Sequence, residues 1–505
     1  MGQPADSNGS STKYTNVWVI AVPFYSHLCR ASELAESLAK HGLTVTLLGA
    51  KHDVQRFISS RSRTVSSWKR QALDLQLQPL GSPELAAVTG GDGRSGAFAP
   101  TVRAYMQILE ETLKNNDDME RISMPTFVIA ETVLFGLMEL FAAAHLDVPV
   151  CCFLTFSPSF MASIIHISEV QSLGVMKPPV FPLDKQTQEK HISLPGYRSM
   201  RLADVSGAMF KTHPQHALAE MSTQLVRNSE HVILHGFKEL ETRGCHELEN
   251  LLKSHAAASN NRKVPQVWPI GPLFPLDPLG PETEELRRAE DENLKVCLQF
   301  LDSQAPSSVV YVAFGVEIGL SQEQILELVY GLERSKQPFL CVLHSPEKSV
   351  SSGVQDPLSI IPSDCRERTG SRSLFVEWAP QREILSHPST GAFMSHCGYG
   401  SVLEASSFGV PILAWPWQYD QFMDCRLVVD ELQTGVEVCP GLVARKLVHS
   451  EYVTKAIDTL FRSTIGFVVR ENALKMKERA IQSVSENGSS TRNMQALVKI
   501  IKAAS

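Results

Sequence analysis

The sequence has little cysteine, no large excess of either charge and no long uninterrupted apolar run. Ten cysteines are scattered over 505 residues, and the only close pair, Cys151 and Cys152, is adjacent and lacks metal-site spacing. No disulfide framework is expected, and reduced thiols are typical of the cytosol. The formal net charge of -7 argues against nucleic acid or an anionic membrane as the main partner.

Secretion and membrane insertion are not expected either. The most apolar region, residues 126–163, is interrupted by charged or ionisable side chains, namely Glu131, Glu139, His145 and Asp147. The amino-terminal stretch MGQPADSNGSSTKYTN is polar and lacks the apolar core of a signal peptide. We therefore expect a soluble cytoplasmic protein, with a monomer as the default.

Short apolar runs alternate with amphipathic helical patterns through most of the chain. The runs are continuous rather than alternating, which is typical of parallel strands buried on both faces. The predicted strands are 17–22, 43–49, 126–130, 148–154, 231–237, 309–315, 338–344, 374–378, 391–395 and 411–415. Among the helices, Ser321 and Gln324 have the spacing of a capping box. Strand-helix-strand repetition of this kind predicts an α/β protein with doubly wound parallel sheets.

A Pro/Gly-rich stretch, WPIGPLFPLDPLGPETEE (268–285), separates the two sets of strands and predicts an interdomain linker. We accordingly predict domains over residues 1–268 and 286–485, a linker over 269–285 and a carboxyl-terminal helix over 486–505 that packs back on the N-terminal domain. In such sheets ligands bind beyond the carboxyl ends of the strands, so the cleft between the two domains is the expected site.

The stretch HCGYGS, from His396 to Ser401, lies between a predicted strand (391–395) and a predicted helix (402–408). Free N–H groups and the helix dipole favour a phosphate at such a turn, and the two glycines allow close approach. A metal site and a cysteine nucleophile are less favoured alternatives. No metal ligands have usable spacing, and a small thiol beside a buried strand is usually a small apolar residue.

The segment from Trp378 to Gln421 closely resembles the signature box of plant-type UDP-sugar glycosyltransferases. It begins with WAPQ, contains the HCG turn, and ends with an acidic residue and glutamine. The resemblance extends to SVVYVAFG (308–315), the WPIGPL linker and ENGSSTRN (486–493). The combination of AFMSHCG with PILAWP is most similar to zeatin-type O-glucosyltransferases. The family resemblance implies the GT-B fold, with two facing Rossmann-like domains, and the C-terminal one holding the sugar nucleotide.

The resemblance also implies a set of donor-binding residues. Trp378 would stack on uracil, as an indole face suits a planar base, and the Ala379 backbone would read its edge. Gln381 and Glu404 would bind the ribose. The diphosphate would be held by the turn residues His396, Gly398, Tyr399, Gly400 and Ser401. The sugar would be held by Asp420 and Gln421 and, less specifically, by Thr155. No metal and no cofactor are implied, and UDP-glucose is the expected donor substrate.

His27, between the first strand and first helix, is the predicted general base. A helix N-terminus should keep its imidazole neutral. The family orients this histidine with an aspartate, for which this sequence has Glu131. Two readings of Glu131 stay open, namely a partner of His27 and a helix-start acid.

The sequence departs from the family pattern at Glu131, Val316, Tyr399 and Gly400. Gly400 lacks the amide of the usual asparagine, so we expect weakened donor binding and a gain from Gly400→Asn. Two functions therefore remain. One is inverting transfer of glucose to a hydroxyl of a small apolar acceptor of phenolic, flavonoid or hormone type, held by loops around 80–105 and 155–215. The other is a degenerate relative that binds a uridine nucleotide with little or no transfer.

Overall fold

The computed structural model describes residues 15–81, 98–115, 122–134, 136–172, 185–209, 216–259, 263–279, 292–315, 318–344, 356–439 and 447–504. It contains two parallel sheets covered by helices on both faces, in the GT-B arrangement expected from the sequence. None of the helices in these segments is long and apolar enough to cross a membrane.

The first sheet has seven strands in the order β3-β2-β1-β4-β5-β8-β9, all paired in parallel. The strands of this half of the chain are β1 (Asn16–Ile20), β2 (Thr44–Ala50), β3 (Leu75–Leu80), β4 (Phe127–Glu131), β5 (Val150–Leu154), β6 (His191–Ser193), β7 (Ser199–Arg201), β8 (His231–Leu234) and β9 (Gln266–Pro269). Strands β6 and β7 form a separate antiparallel pair. The helices are α1 (Tyr25–Lys40), α2 (Lys51–Ser60), α3 (Ser62–Arg70), α4 (Phe98–Lys114), α5 (Leu137–Ala143), α6 (Pro158–Ser172), α7 (Lys185–Gln188), α8 (His216–Asn228) and α9 (Thr242–Ala258).

The second sheet has six parallel strands in the order β12-β11-β10-β13-β14-β15. They are β10 (Val309–Ala313), β11 (Phe339–Val342), β12 (Ser373–Val376), β13 (Thr390–Ser395), β14 (Ile412–Ala414) and β15 (Gly435–Glu437). The helices are α10 (Glu292–Asp302), α11 (Gln322–Ser335), α12 (Ser363–Thr369), α13 (Gln381–Ser386), α14 (Tyr399–Phe408), α15 (Gln421–Arg426), α16 (Ser450–Arg462), α17 (Thr464–Val484) and α18 (Ser489–Ala504). Short 3₁₀ or π turns lie at Leu202–Asp204, Gly207–Met209, Pro357–Ile360, Gly370–Arg372 and Leu427–Glu431.

The central strands are buried along their whole length, as continuous apolar runs predict. Every residue of β1, β4 and β10 is buried, and each sheet packs one apolar cluster on each face. The final helix α18 buries Met494, Leu497 and Ile501 in the cluster on one face of the first sheet. The exact domain limits at 268 and 285 stay a prediction.

Three local expectations were wrong. Residues 268–269 are the end of β9 and not irregular linker. Helix α14 begins at Tyr399 and not at residue 402, so the last three residues of HCGYGS form its first turn. Ser321 does cap α11 by accepting from the Gln324 N–H at 3.2 Å, but the Gln324 side chain bonds the backbone of Val448 and does not complete a capping box.

Each sheet has a topological switch point, where the strand order reverses direction. In the first sheet the chain turns outward from β1 to β4, and in the second from β10 to β13. Open α/β sheets bind ligands beyond the carboxyl ends of the strands at such switch points. His27 lies after the carboxyl end of β1, Glu131 is the last residue of β4, and HCGYGS follows β13.

Candidate active site

A cleft of ≈ 2390 Å³ lies between the carboxyl edges of the two sheets. Small-molecule sites usually enclose roughly 300–1,000 Å³, so this cleft has room for two substrates. The structure brings almost all of the predicted site residues to its wall: His27, Thr155, Trp378, Ala379, Gln381, His396, Gly398, Tyr399, Gly400, Ser401, Glu404, Asp420 and Gln421. Glu131 is the exception, because it lies behind His27.

The turn after β13 directs the His396 ring into this cleft. Cys397 has a left-handed backbone (φ 65), and its N–H donates to Ser395 Oγ at 3.1 Å. A Cβ on Gly398 would lie 2.6 Å from His396 Nε2, so only glycine leaves room for the ring. Helix α14 then starts at once. The N–H groups of Tyr399 and Gly400 precede its first hydrogen bonds, which the Ser401 and Val402 N–H groups make to the Gly398 carbonyl oxygen at 2.8 and 3.1 Å.

Protonation states at this turn suit an anion but not a thiolate. Burial lowers the pKa of His396 to about 4, so the ring is a neutral N–H donor at neutral pH. Its Nδ1 is buried and makes no hydrogen bond to the described residues. Burial, reinforced by Cys425, raises the pKa of the Cys397 thiol well above its ordinary value. A cysteine nucleophile is therefore disfavoured.

The residues predicted for the uridine end surround an open wall of the cleft. Trp378 follows β12 and exposes 43% of its surface, although large aromatic side chains are usually covered. Ala379 beside it is 7% exposed. Gln381 begins α13 and donates from Nε2 to Glu404 Oε2 at 2.7 Å. An exposed indole on a cleft wall is a surface on which a base can stack.

Glu404 belongs to a charged cluster that the sequence did not predict. Its Oε1 accepts from Arg30 Nη1 at 2.9 Å and from Arg382 Nε at 3.0 Å. Arg382 also pairs with Glu33. The other carboxylate oxygen of Glu33 lies 2.8 Å from His235 Nε2, within hydrogen-bond distance. Arg30 and Glu33 come from α1, whereas Arg382 and Glu404 come from α13 and α14, so these pairs join the two halves of the cleft.

This cluster restricts the predicted ribose contact of Glu404. A carboxylate offers about four acceptor positions, and the two guanidinium groups and Gln381 use three of them. One position on Oε2 remains for a ribose hydroxyl. The expected two-oxygen contact with the vicinal diol therefore requires one of these partners to move.

The contribution of this cluster to the free energy of unfolding depends on pH. Burial alone would raise the pKa of the Glu404 carboxyl, but Arg30 and Arg382 lower it to about 2, from 4.5. The folded chain thus keeps Glu404 ionised at a pH where the unfolded chain binds a proton. Its contribution of about 3 kcal/mol to the free energy of unfolding is present above pH 4.5 and is lost as the pH falls towards 2.

We therefore expect the destabilising effect of Glu404→Gln to shrink by about 3 kcal/mol between neutral and strongly acidic pH. Urea unfolding of wild type and variant at a series of pH values measures this difference. Glu110→Gln, at an exposed pair with Lys114, is the matched control and should show almost no pH trend. A Glu404→Gln difference that stays constant with pH would contradict the assigned ionisation.

Asp420 and Gln421 lie buried at the start of α15, and are 8% and 6% exposed. Their burial shows that this helix start is not a solvated one. Gln421 Oε1 accepts from the Trp417 and Gln418 N–H groups at 3.0 and 2.9 Å. Gln421 thereby shapes the loop in front of Asp420, which the sequence did not predict.

His27 and Glu131 form a close pair. Nδ1 of His27 lies 2.7 Å from Glu131 Oε2, and the same oxygen accepts from the Val22 N–H at 3.3 Å. Glu131 is the last residue of β4 and is 1% exposed, so the helix-start reading of this residue is wrong. His27 lies in the first turn of α1 rather than before it, between the rings of Phe24 and Phe156. Because Nδ1 is directed at a carboxylate, Nε2 is the ring nitrogen that is turned away from Glu131.

The cleft wall near His27 is largely apolar. It includes Val133, Phe156, Phe160, Met161 and Ile164, which come from the ends of β4 and β5 and from α6. Thr155, also on this wall, has a buried hydroxyl without a hydrogen bond to the described residues. Much of the predicted acceptor loops, over 82–97, 173–184 and 210–215, lies outside the described residues, as does Val316.

Tyr399 is placed differently from the expectation. Its side chain is 4% exposed, and its hydroxyl lies against Gly236 of the other half of the cleft, where an added Cβ would come within 2.4 Å of Tyr399 Oη. The hydroxyl thus belongs to the contact between the two halves. As for metals, the described residues contain no group of three or more His, Cys, Asp or Glu side chains placed to hold an ion. The expectation of no metal stays a prediction.

A family model described as "UDP-glucoronosyl and UDP-glucosyl transferase" matches residues 25–476. The chain belongs to this family. It is 34% identical to gallate 1-beta-glucosyltransferase 84A24 of Punica granatum over 331 residues, which are 64% of this chain and 59% of that relative. The chain thus spans about three fifths of the length of that relative.

Solved structures of similar proteins cover the whole architecture. The chain superposes on TcCGT1 in complex with UDP with a TM-score of 0.80 at 24% identity, over 97% of this chain and 100% of that one. For Medicago truncatula UGT71G1 complexed with UDP-glucose the TM-score is 0.75 at 22% identity, over 97% and 99%. At such low identity the likeness shows the shared fold.

In this UDP-glucosyl transferase, the sequence did not predict that Arg30, Glu33 and Arg382 belong to the site. Arg30 falls one helical turn after His27, on the same face of α1, and that spacing is the one signal that placed it near the site. Its pairing with Glu404, across 374 positions of sequence, has no local signature.

Proposed function

We propose that this protein transfers glucose from UDP-glucose to a hydroxyl of a small, largely apolar acceptor, with inversion at the anomeric carbon. The observation that carries this is the His27–Glu131 pair, in which Nδ1 and Oε2 lie 2.7 Å apart and His27 faces a cleft whose other wall holds the HCGYGS turn. The gallate glucosyltransferase likeness supports a phenolic acceptor, and the apolar wall beside His27 suits one. The zeatin-type likeness stays a prediction.

In the proposed reaction His27 accepts the proton of the acceptor hydroxyl through the ring nitrogen that does not face Glu131. The acceptor oxygen forms a bond to C1 of the sugar as the bond from C1 to the diphosphate oxygen breaks and its electron pair leaves with UDP. Attack from the face opposite the leaving group inverts the anomeric centre. Glu131 would fix the tautomer of His27 and stabilise the imidazolium that forms.

The other wall of the cleft would supply leaving-group stabilisation and position. The neutral His396 ring, the Ser401 hydroxyl and the N–H groups of Tyr399 and Gly400 would donate to the diphosphate, where negative charge develops. Trp378 would hold the uracil, and Asp420 with Gln421 would hold the glucose hydroxyls. Holding both substrates in one cleft would contribute much of the rate.

The cluster around Glu404 favours a second candidate, a protein that binds a uridine nucleotide and transfers poorly. Acceptor-dependent release of UDP from UDP-glucose, over a panel of phenolic acceptors including gallate, separates the two. We expect release with at least one phenolic acceptor. Tight UDP binding with no release on the panel would support the binding protein, and absence of UDP binding would reject both.

A further inference from the structure

The Arg30 side chain extends from α1 across the cleft to the turn at α14. Its Nη1 lies 2.9 Å from Glu404 Oε1 and 3.5 Å from Glu33 Oε1. The side chain is 17% exposed and lines the cleft. It is therefore a fixed guanidinium group inside the cleft and not a mobile surface charge.

Arg30 occupies the space that a side chain at position 400 would need. A Cβ on Gly400 would lie 2.4 Å from Arg30 Nη2, 2.8 Å from Nε and 2.9 Å from Cζ. Any side chain there, asparagine included, collides with the guanidinium unless Arg30 moves. Gly400 therefore leaves no empty space at this turn, and the gain expected from Gly400→Asn would require Arg30 to move.

Two nitrogens of Arg30 remain available in this arrangement. Its hydrogen bonds to the described residues use Nη1. Nε and Nη2 lie over Gly400, in the first turn of α14, where the N–H groups of Tyr399 and Gly400 precede the first hydrogen bond of the helix, from the Ser401 N–H to the Gly398 carbonyl oxygen. The Nε–Nη2 edge of a guanidinium is a planar fork that matches two oxygens of a phosphate.

The charges around Arg30 also leave room for an anion. Arg30 and Arg382 are balanced by Glu33 and Glu404, and burial lowers the pKa of His235 despite Glu33, so that ring is neutral. The 3.5 Å contact of Arg30 with Glu33 is long, and Glu33 keeps Arg382 and His235 if Arg30 shifts. An incoming phosphate can therefore engage Arg30 without leaving a carboxylate unpaired.

We propose, building on the proposed function, that Arg30 is a donor-binding residue that holds the diphosphate of the UDP-sugar through Nε and Nη2. It takes the place of the side chain that is missing at Gly400. The diphosphate is then gripped from both halves of the cleft, by α14 on one side and α1 on the other. Because Arg30 and His27 share a helix, donor binding also fixes the helix that carries the proposed base.

The first test compares the affinities of UDP and uridine by calorimetry in wild type and Arg30→Met. We expect UDP to bind at least tenfold more weakly to the variant and uridine to bind within twofold of wild type. Arg243→Met is the matched control, since Arg243 pairs with Glu431 across the same interface outside the cleft, and it should leave UDP affinity unchanged. Arg30→Lys keeps the charge but loses the fork and should lie between the two.

The second test is a double-mutant cycle between positions 30 and 400. Gly400→Asn alone should weaken UDP binding because it displaces Arg30, and adding Arg30→Ala should recover affinity relative to Gly400→Asn alone. The proposal is overturned if Arg30→Met binds UDP like wild type, if UDP and uridine weaken equally, or if Gly400→Asn tightens UDP binding. Wild-type protein that binds no UDP would instead reject the proposed function, and the role of Arg30 with it.

Discussion

His27→Ala is expected to lower the rate of glucose transfer by roughly 10²–10⁴-fold, the range typical of a lost general base. UDP affinity should change less than twofold, because His27 lies on the wall opposite the HCGYGS turn. The measurement is kcat for acceptor-dependent UDP release, with UDP binding followed in parallel by calorimetry. The reason for this split is that a base acts on the acceptor hydroxyl in the transition state and contributes little to holding the donor.

The matched control for this variant is His246→Ala. His246 is an exposed histidine on α9 that bonds Asn250 and lies outside the cleft wall. Thermal unfolding of His27→Ala should show a folded protein, so that lost activity is not lost structure. Transfer within threefold of wild type in a folded His27→Ala variant would remove His27 as the base.

Glu131→Gln is expected to lower kcat by roughly 10²–10⁴-fold, because a neutral amide can present its NH₂ group to His27 and select the wrong tautomer. An amide also stabilises a developing imidazolium less well than a carboxylate does. Acceptor KM and UDP affinity should change little, since Glu131 lies behind His27 and does not line the cleft. Transfer kinetics over a pH series measure both quantities and show whether the pH dependence of kcat moves with the variant.

Glu131→Asp gives the sharper comparison at this position. The backbone at the end of β4 places a glutamate carboxylate 2.7 Å from Nδ1, and a side chain one methylene shorter withdraws from it. We therefore expect Glu131→Asp to lose most of the activity even though it keeps the charge. Wild-type activity in Glu131→Asp would mean that this part of the cleft accommodates either acid. Wild-type activity in Glu131→Gln would show that the pair is only structural.

The central strands could be predicted from sequence because burial on both faces leaves a continuous apolar run, as in β1 and β10. Among the four edge strands, β12 was predicted, whereas β3, β9 and β15 were not. Strand β3 reads LQLQPL, with partly exposed alternate residues, and β15 has only three residues. An edge strand is half solvated and takes its place from pairing with a neighbour, which no short sequence pattern records.

Only part of the candidate site could be predicted from the sequence. The turn at HCGYGS and the strand-end positions of His27 and Glu131 follow from local order along the chain. The ion pairs of Arg30 with Glu404 and of Arg382 with Glu33 join residues separated by 374 and 349 positions, so they require the fold. The sequence could not show that the space beside Gly400 is filled, because the residue that fills it, Arg30, lies on α1.

The anomeric configuration of the product tests the central claim most directly. The sugar in UDP-glucose is α-linked, and a single displacement with His27 as base must give a β-glucoside. Wild-type protein is incubated with UDP-glucose and an accepted phenol, and the coupling of the anomeric proton is read by NMR before any product is purified selectively. A β-glucoside is the predicted result, and an α-glucoside or free glucose as the main product would contradict the account.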